Sequence, residues 1–254
     1  MRWVAAGLLL AAAPAAAAPV RVVSLNLCTD EYLLLTARPG QIASISRLGA
    51  DAQESPLAAR ARGLRTNPGR LSEVISQQPD LVLTMGDDRQ AIALAGRMGI
   101  RLVALPYPQS PADVVGQIRR VAVLLGNAPA GAAFARSVAG LAANAPPARP
   151  GLMIGGSGLA PAMDGLAAGW LRLAGVAQMQ GGTISLEQLL AAPPPILIRN
   201  IYRRGQVSAP QAWSQHPALA RLPSRQVEAD GRAFLCGGAA MPAEIARLKR
   251  ALAA

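Results

Sequence analysis

Leu71-Ser72-Glu73-Val74-Ile75-Ser76-Gln77-Gln78-Pro79-Asp80-Leu81-Val82-Leu83-Thr84-Met85 reads as a short helix, a proline break and an almost wholly apolar strand. Proline cannot continue a helix, and a strand without polar alternation is buried on both faces. The same pattern returns in the second half. Ile184-Ser185-Leu186-Glu187-Gln188-Leu189-Leu190-Ala191-Ala192-Pro193 precedes Ile196-Leu197-Ile198, and in both places a Glu is followed six residues later by a Pro. Each copy alone is weak, because helix, proline and strand follow one another in many α/β proteins. In the same relative place in both halves they predict two lobes of like build with a ligand between them.

Outward from these anchors, strands alternate with helices. Strands are expected at Arg21–Leu25, Ile42–Ser46, Leu81–Met85 and Arg101–Leu105, with a helix from Cys28 to Leu35 capped by Thr29 or Asp30. Residues 48–70 read as irregular with one short helix near Ala52–Ala61, followed by helices over Leu71–Gln77 and Gln90–Met98. Ser110-Pro111-Ala112-Asp113 opens a helix to Leu125, and a second helix follows to Ala143. Pro146-Pro147-Ala148-Arg149-Pro150 marks a boundary. Beyond it come strands at Leu152–Gly155, Ile196–Arg199 and Gln226–Val227, an extended piece at Ala233–Cys236, and helices at Leu166–Ala174, Leu186–Ala191, Pro217–Leu222 and Ala243–Leu252. The fold class is α/β: two Rossmann-like lobes built on parallel sheets.

Composition narrows the function. The 254 residues are 52% hydrophobic and 15% charged, enough apolar surface for a packed core. The formal charge of +11 is nearly all arginine, since Lys249 is the only lysine. The arginines are scattered and aromatics are only 3%, so no nucleic-acid partner is expected. The start of the chain, Met1-Arg2 followed by apolar Trp3–Ala13 and small residues Ala15–Ala18, reads as a secretory signal cleaved after Ala17. Cys28 lies too far on to carry a lipid. A periplasmic protein is expected, and in that oxidising compartment Cys28 and Cys236 have a disulfide as their default; free buried thiols or a thiol pair serving the ligand are the alternatives.

Catalysis is poorly provided for. His216, the only histidine, stands before Pro217 at a helix start and suits capping. Gly155-Gly156-Ser157-Gly158 breaks the dinucleotide-loop register at Pro161. With one histidine no resident metal and no cofactor are expected. The competing reading from another class is a secreted α/β hydrolase-like enzyme using Cys28 or Ser157. Binding is the stronger reading. Loops leaving the strands carry Cys28, Thr29, Arg47, Gly86, Tyr107, Ser157, Tyr202, Arg203, Arg204 and Gly237, and a mix of arginine and tyrosine suits a bulky, partly apolar anion.

Val22-Val23-Ser24-Leu25-Asn26, Glu73 to Leu83, Leu171-Arg172-Leu173-Ala174-Gly175 and Ser185-Leu186-Glu187 together resemble, in order and spacing, the substrate-binding proteins of vitamin B12, ferric siderophore and haem ABC importers. The resemblance covers about the whole mature chain. It departs at Pro194, where the C-terminal lobe usually has Asp, and at Cys28 and Cys236-Gly237-Gly238. It implies an N-terminal lobe over 18–126, a long rigid linking helix within 127–145 (near Ala130–Ala143, about 20 Å long) and a C-terminal lobe over 146–254. It also implies a shallow cleft with limited hinge closure, and a monomer that takes an iron chelate (siderophore or haem) or a corrinoid. Docking onto the importer permease is implied through one acidic residue per lobe, Glu73 and Glu187. Corrinoids are mostly neutral, so the arginines favour an anionic chelate.

Overall fold

A computed structural model of the chain describes residues 18–203 and 216–253. The expected signal segment and Arg204 lie outside the described residues. In the N-terminal half, β1 (Val22–Ser24), α1 (Leu27–Thr36), β2 (Ile42–Ser46), α2 (Arg47–Ala50), β3 (Thr66–Asn67), β4 (Leu81–Met85), α3 (Arg89–Met98) and β5 (Leu102–Leu105) build one layered unit. Its five-stranded sheet has the order β3-β2-β1-β4-β5, with every pairing parallel. All five residues of β4 are buried, as its unbroken apolar sequence requires of a strand covered on both faces.

Two helices follow. α4 (Pro111–Leu124) starts on the Ser110 hydroxyl, which accepts from the Asp113 amide at 3.2 Å. α5 (Ala128–Ala143) spans 16 residues, about 24 Å. It lies close on α4: a Cβ on Gly131 would come within 2.9 Å of both the Arg119 Cα and the Ala122 Cβ. The second unit comprises β6 (Arg149–Gly155), β7 (Leu159–Ala160), α6 (Leu166–Leu173), β8 (Val176–Gln178), β9 (Gly182–Thr183), α7 (Leu186–Ala191), β10 (Ile196–Ile201), α8 (Pro217–Ala220), β11 (Arg225–Asp230), α9 (Gly231–Cys236) and α10 (Met241–Ala253). Its main sheet, β11-β10-β6-β8, is again all parallel, and β7 and β9 form a small antiparallel pair. The core is continuous through both units. Tyr32, Leu83 and Ile118 belong to the same buried cluster as Met153, Trp170, Ile198 and Met241.

Several local expectations are corrected. The helix expected at Leu71–Gln77 is two 3-10 turns, Leu71–Glu73 and Ile75–Gln77, ending on Gln78 at φ 48°. A residue before proline is pushed out of the right-handed helical region, and Gln78 ends the turn in the left-handed one, where non-glycine residues are uncommon. The extended piece expected at Ala233–Cys236 is helix α9, begun by the Asp230 side chain and ended by Gly237 at φ 56°. A four-residue apolar run does not separate strand from helix, and the cap and the glycine decide it. The N-cap of α1 is Asn26, whose side chain accepts from the Thr29 amide, not Thr29 or Asp30. β11 is six residues long rather than two.

Candidate functional site

In both sheets the loops at the strand C-termini carry the polar and aromatic groups that the core excludes. On the N-terminal side, Asn26 follows β1 and donates from Nδ2 to the Thr84 hydroxyl at 3.3 Å, tying the ends of β1 and β4 together. Gly86 follows β4 with φ 83°, and a Cβ there would lie 2.7 Å from the Tyr107 ring. Only glycine lets that ring lie over the β4 turn. Tyr107 itself follows β5 and is 66% exposed. Asn26, Thr84 and Tyr107, with Leu25, Cys28, Gly69, Met85 and Asp88, line a cavity of about 290 Å³, and Gly86 underlies the Tyr107 ring at its edge.

A larger cavity of about 750 Å³ lies where the two units face each other. Ala52 and Gln53 line it from the N-terminal unit; the ends of β10 and β11, with Arg232, Glu244 and Arg247, line it from the other. Its volume falls within the usual range for sites of cofactor-sized ligands, about 300–1,000 Å³. Just behind Gln53, the buried carboxylate of Glu54 accepts the Tyr202 hydroxyl and pairs with the Arg203 guanidinium. The Arg203 guanidinium also lies 5.8 Å from the centre of the Tyr202 ring. Arg232 reaches across to the Ala52 carbonyl at 2.6 Å. Burial, with the nearby Asp51 carboxylate second, holds the Tyr202 phenol above its ordinary pKa. Burial pulls the Asp230 carboxyl upward, but hydrogen bonds and charge from Arg232 outweigh it and leave the group below the carboxylate range.

The units are also joined covalently. Cys28 in the first turn of α1 and Cys236 at the end of α9 form a disulfide, with Cα atoms 5.3 Å apart across 208 residues of sequence. One turn along α1 from Cys28, Glu31 is fully buried against Gly238, where an added Cβ would stand 3.2 Å from Oε2. Burial pushes its carboxyl up to about 8; the Ala239 and Ala240 amides face it and oppose the shift, without closing a hydrogen bond of good geometry on either oxygen. Its neighbour Asp30, also buried, is pushed up to about 7 by burial while accepting from the Ser46 amide at 3.0 Å and from the Ser46 hydroxyl.

The structure brings Cys28 and Tyr107 to one cavity, with Gly86 packed beneath the Tyr107 ring, and Tyr202 and Arg203 to the other cavity. Arg47 is exposed at the start of α2, and Ser157 is exposed in the turn after β6; neither lines these two cavities. Thr29 is fully buried, with its hydroxyl engaged by Ser24 and Asn26, so it shapes the cap of α1 and offers nothing to a ligand. Gly237 is buried too: its carbonyl accepts the Trp170 indole N–H at 2.8 Å, and its role is to end α9. Glu73 and Glu187 are both exposed, one in each unit. A bridged Cys28 has no thiolate to act as a nucleophile. The His216 Nδ1 accepts the Ala218 amide as a helix cap. Glu54, Asp30, Glu31 and the Arg232 and Arg247 pairs escape sequence reasoning. Acids in an apparent loop or a first helical turn look like surface residues; Asp30 is buried by Ser46 and Gly49 of its own unit, and Glu31 and Glu54 meet Gly238 and Tyr202 of the second.

No protein-family model and no curated protein matches the sequence. Among solved structures, the chain is similar to a periplasmic heme binding protein from Pseudomonas aeruginosa (19% identity, TM-score 0.64, 92% of each chain covered). It is similar also to the periplasmic heme binding protein HutB of Vibrio cholerae (17%, TM-score 0.70, 92% of this chain and 98% of that one). A third is the periplasmic heme-binding protein RhuT from Roseiflexus sp. RS-1 (19%, TM-score 0.70, 91% and 97%). At these identities the likeness defines the fold: this is the two-lobed α/β fold of periplasmic binding proteins.

Proposed function

We propose that the chain is a periplasmic solute-binding protein that delivers an iron chelate, a haem or a ferric siderophore, to an ABC importer. The observation that carries this reading is the paired cavities at facing strand C-termini, where two parallel sheets present Tyr107 on one side and Tyr202 with Arg203 on the other. Open α/β sheets bind ligands outside the carboxyl ends of their strands. Among the described residues no cluster of three histidine, cysteine or acidic side chains could hold a metal ion. The binding proteins sharing this fold support haem as the first candidate. The arginines place a neutral corrinoid behind an anionic chelate.

Delivery needs a second contact, and Glu73 and Glu187 suit it. Glu73 ends a 3-10 turn six residues after β3, and Glu187 lies in the first turn of α7, shortly after β9. Both are solvent-facing, and the Ser185 hydroxyl helps hold Glu187 ionised below the usual carboxylate range. The test is titration with haemin, ferric citrate, a ferric hydroxamate and cyanocobalamin, on the native chain and on Tyr107→Ala. At least one iron chelate binds one to one, and Tyr107→Ala weakens it about tenfold, as loss of an aromatic contact does at a binding hot spot. An exposed tyrosine can be removed without unfolding the chain. Saturable binding by none of the iron probes overturns the reading.

A further inference from the structure

The large cavity holds three arginines, and their partners differ in a way that matters. Arg232 pairs with Asp230 at 2.6 Å and Arg247 with Glu244 at 2.6 Å, each an acid of its own unit. Arg203 takes its acid, Glu54, from the opposite unit. Glu54 is buried while the Arg203 side chain is 38% exposed and faces the cavity, so one side of the guanidinium fork is open to an incoming group. Tyr202, whose hydroxyl is the second donor on the same carboxylate, lines the same cavity. A phenol and a guanidinium converging on one carboxylate make a receptor for carboxylates as such. Arg pairs with them in a planar fork, and charge-assisted hydrogen bonds are the stronger kind.

We propose that Glu54 is a stand-in for a ligand carboxylate: Tyr202 and Arg203 form a carboxylate receptor that Glu54 occupies across the cleft and that a free carboxylate on the rim of the bound iron chelate takes over. The inference rests on the function proposed above and deepens it, since it selects chelates that keep uncoordinated carboxylates, as a haem does with its two side-chain acids. Exchange of one carboxylate for another keeps the Tyr202 and Arg203 donors paired, and the displaced Glu54, buried in the closed pair, takes a proton or gains water as the units part. It also gives the cleft a latch. While Glu54 holds Tyr202 and Arg203, the units are pinned beside the cavity, and the arriving ligand releases the pin. Arg232 and Arg247, paired within their own unit, keep that wall in place during the exchange.

The experiment compares haemin with haemin dimethyl ester, which keeps the ring and iron but lacks free carboxylates. Binding is measured on the native chain, Glu54→Gln, Tyr202→Phe and Arg203→Ala, with melting temperatures taken in parallel. Native protein prefers haemin to the ester. Glu54→Gln removes the competing charge and widens that preference by about tenfold, the scale of one charge-assisted hydrogen bond. Tyr202→Phe narrows the preference and Arg203→Ala abolishes it. A purely structural Glu54 would lower the melting temperature and leave the haemin-to-ester ratio unchanged in all three variants. That result overturns the exchange while leaving a haem-binding function standing. If neither porphyrin binds the native chain, haem is excluded and the exchange falls with it, a result the same variants cannot mimic.

Discussion

Asp30 and Glu31 are adjacent acids that both lose their water on folding, and their protonation sets a pH dependence with a definite sign. Their folded pKa values lie near 7 and 8, above the ordinary 3.8 and 4.5, because burial penalises the charged forms. Between about pH 4 and pH 8 the folded chain therefore keeps protons that the unfolded chain has released, so stability falls as pH rises through this window. Below it both states are protonated and no penalty exists; above it the penalty is complete. Glu31→Gln keeps the shape and removes the charge. It is expected to flatten the decline and to stabilise the protein at pH 8.5 by on the order of 2–4 kcal/mol, read from urea unfolding at several pH values. An unchanged slope between pH 5 and 8 would mean that Glu31 is ionised in the folded state. Neither acid was legible as buried. Asp30-Glu31 after Cys28-Thr29 has the composition of a helix start, and the α1 face that carries Cys28 and Glu31 is covered only by the turn at Gly237–Ala240. Tyr107 was legible, because a tyrosine just past an apolar strand and Pro106 falls where the sheet topology puts the cleft.

At the scale of elements, the strands and the long helices follow from the residues that start and stop them. Ser110-Pro111 sets α4, Ser185 with Gln188 closes a capping box on α7, and the apolar run at Leu81 makes a central strand. What the sequence leaves unmarked are the edges. β8 has three residues and meets β6 only at Arg149–Gly151, so the rest of β6 has no strand on that side. The Gln178 side chain extends the ladder: its Oε1 accepts the Met153 amide at 2.9 Å, and its Nε2 donates to the Met153 carbonyl at 3.2 Å and to the Gln180 carbonyl at 2.9 Å. Gln178→Ala leaves the Met153 amide buried without a partner and is expected to cost about 1–3 kcal/mol. Gln178→Glu keeps the acceptor and loses the donor, so it recovers part of that loss near neutral pH only if the carboxylate stays paired. Chemical denaturation of the two variants checks both, and a loss below about 0.5 kcal/mol for the alanine, the usual range of a surface change, would show that the side chain does not complete the sheet. A glutamine after two small apolar residues carries no mark of this role, because the role depends on a strand nearly thirty residues earlier.

Across the whole molecule, the lobes share a continuous core and are tied further by the Cys28–Cys236 disulfide at the α1–α9 seam and, beside the large cavity, by the Glu54 contacts and the Arg232–Ala52 hydrogen bond. A covalent loop over 208 residues removes a large share of the unfolded chain's freedom, about 5 kcal/mol on chain-entropy grounds. It also restrains any hinge, since the bridge sits on the surfaces that a wide opening would part. Two-lobed architecture was readable from the repeated Glu, Pro and strand pattern. The contacts between lobes were not, because residues such as Glu54 and Tyr202, 148 apart, meet only through the tertiary fold. The central claim is that a small molecule fills the space between those lobes. Its most direct test is native mass spectrometry, with visible absorption, on protein isolated under non-denaturing conditions from the periplasm of iron-fed cells. The account predicts a single bound species whose mass contains iron, released on denaturation and absorbing in the visible as a haem or ferric siderophore does. A chain that carries no such species, and takes up none when incubated with haemin or ferric chelates, would contradict it.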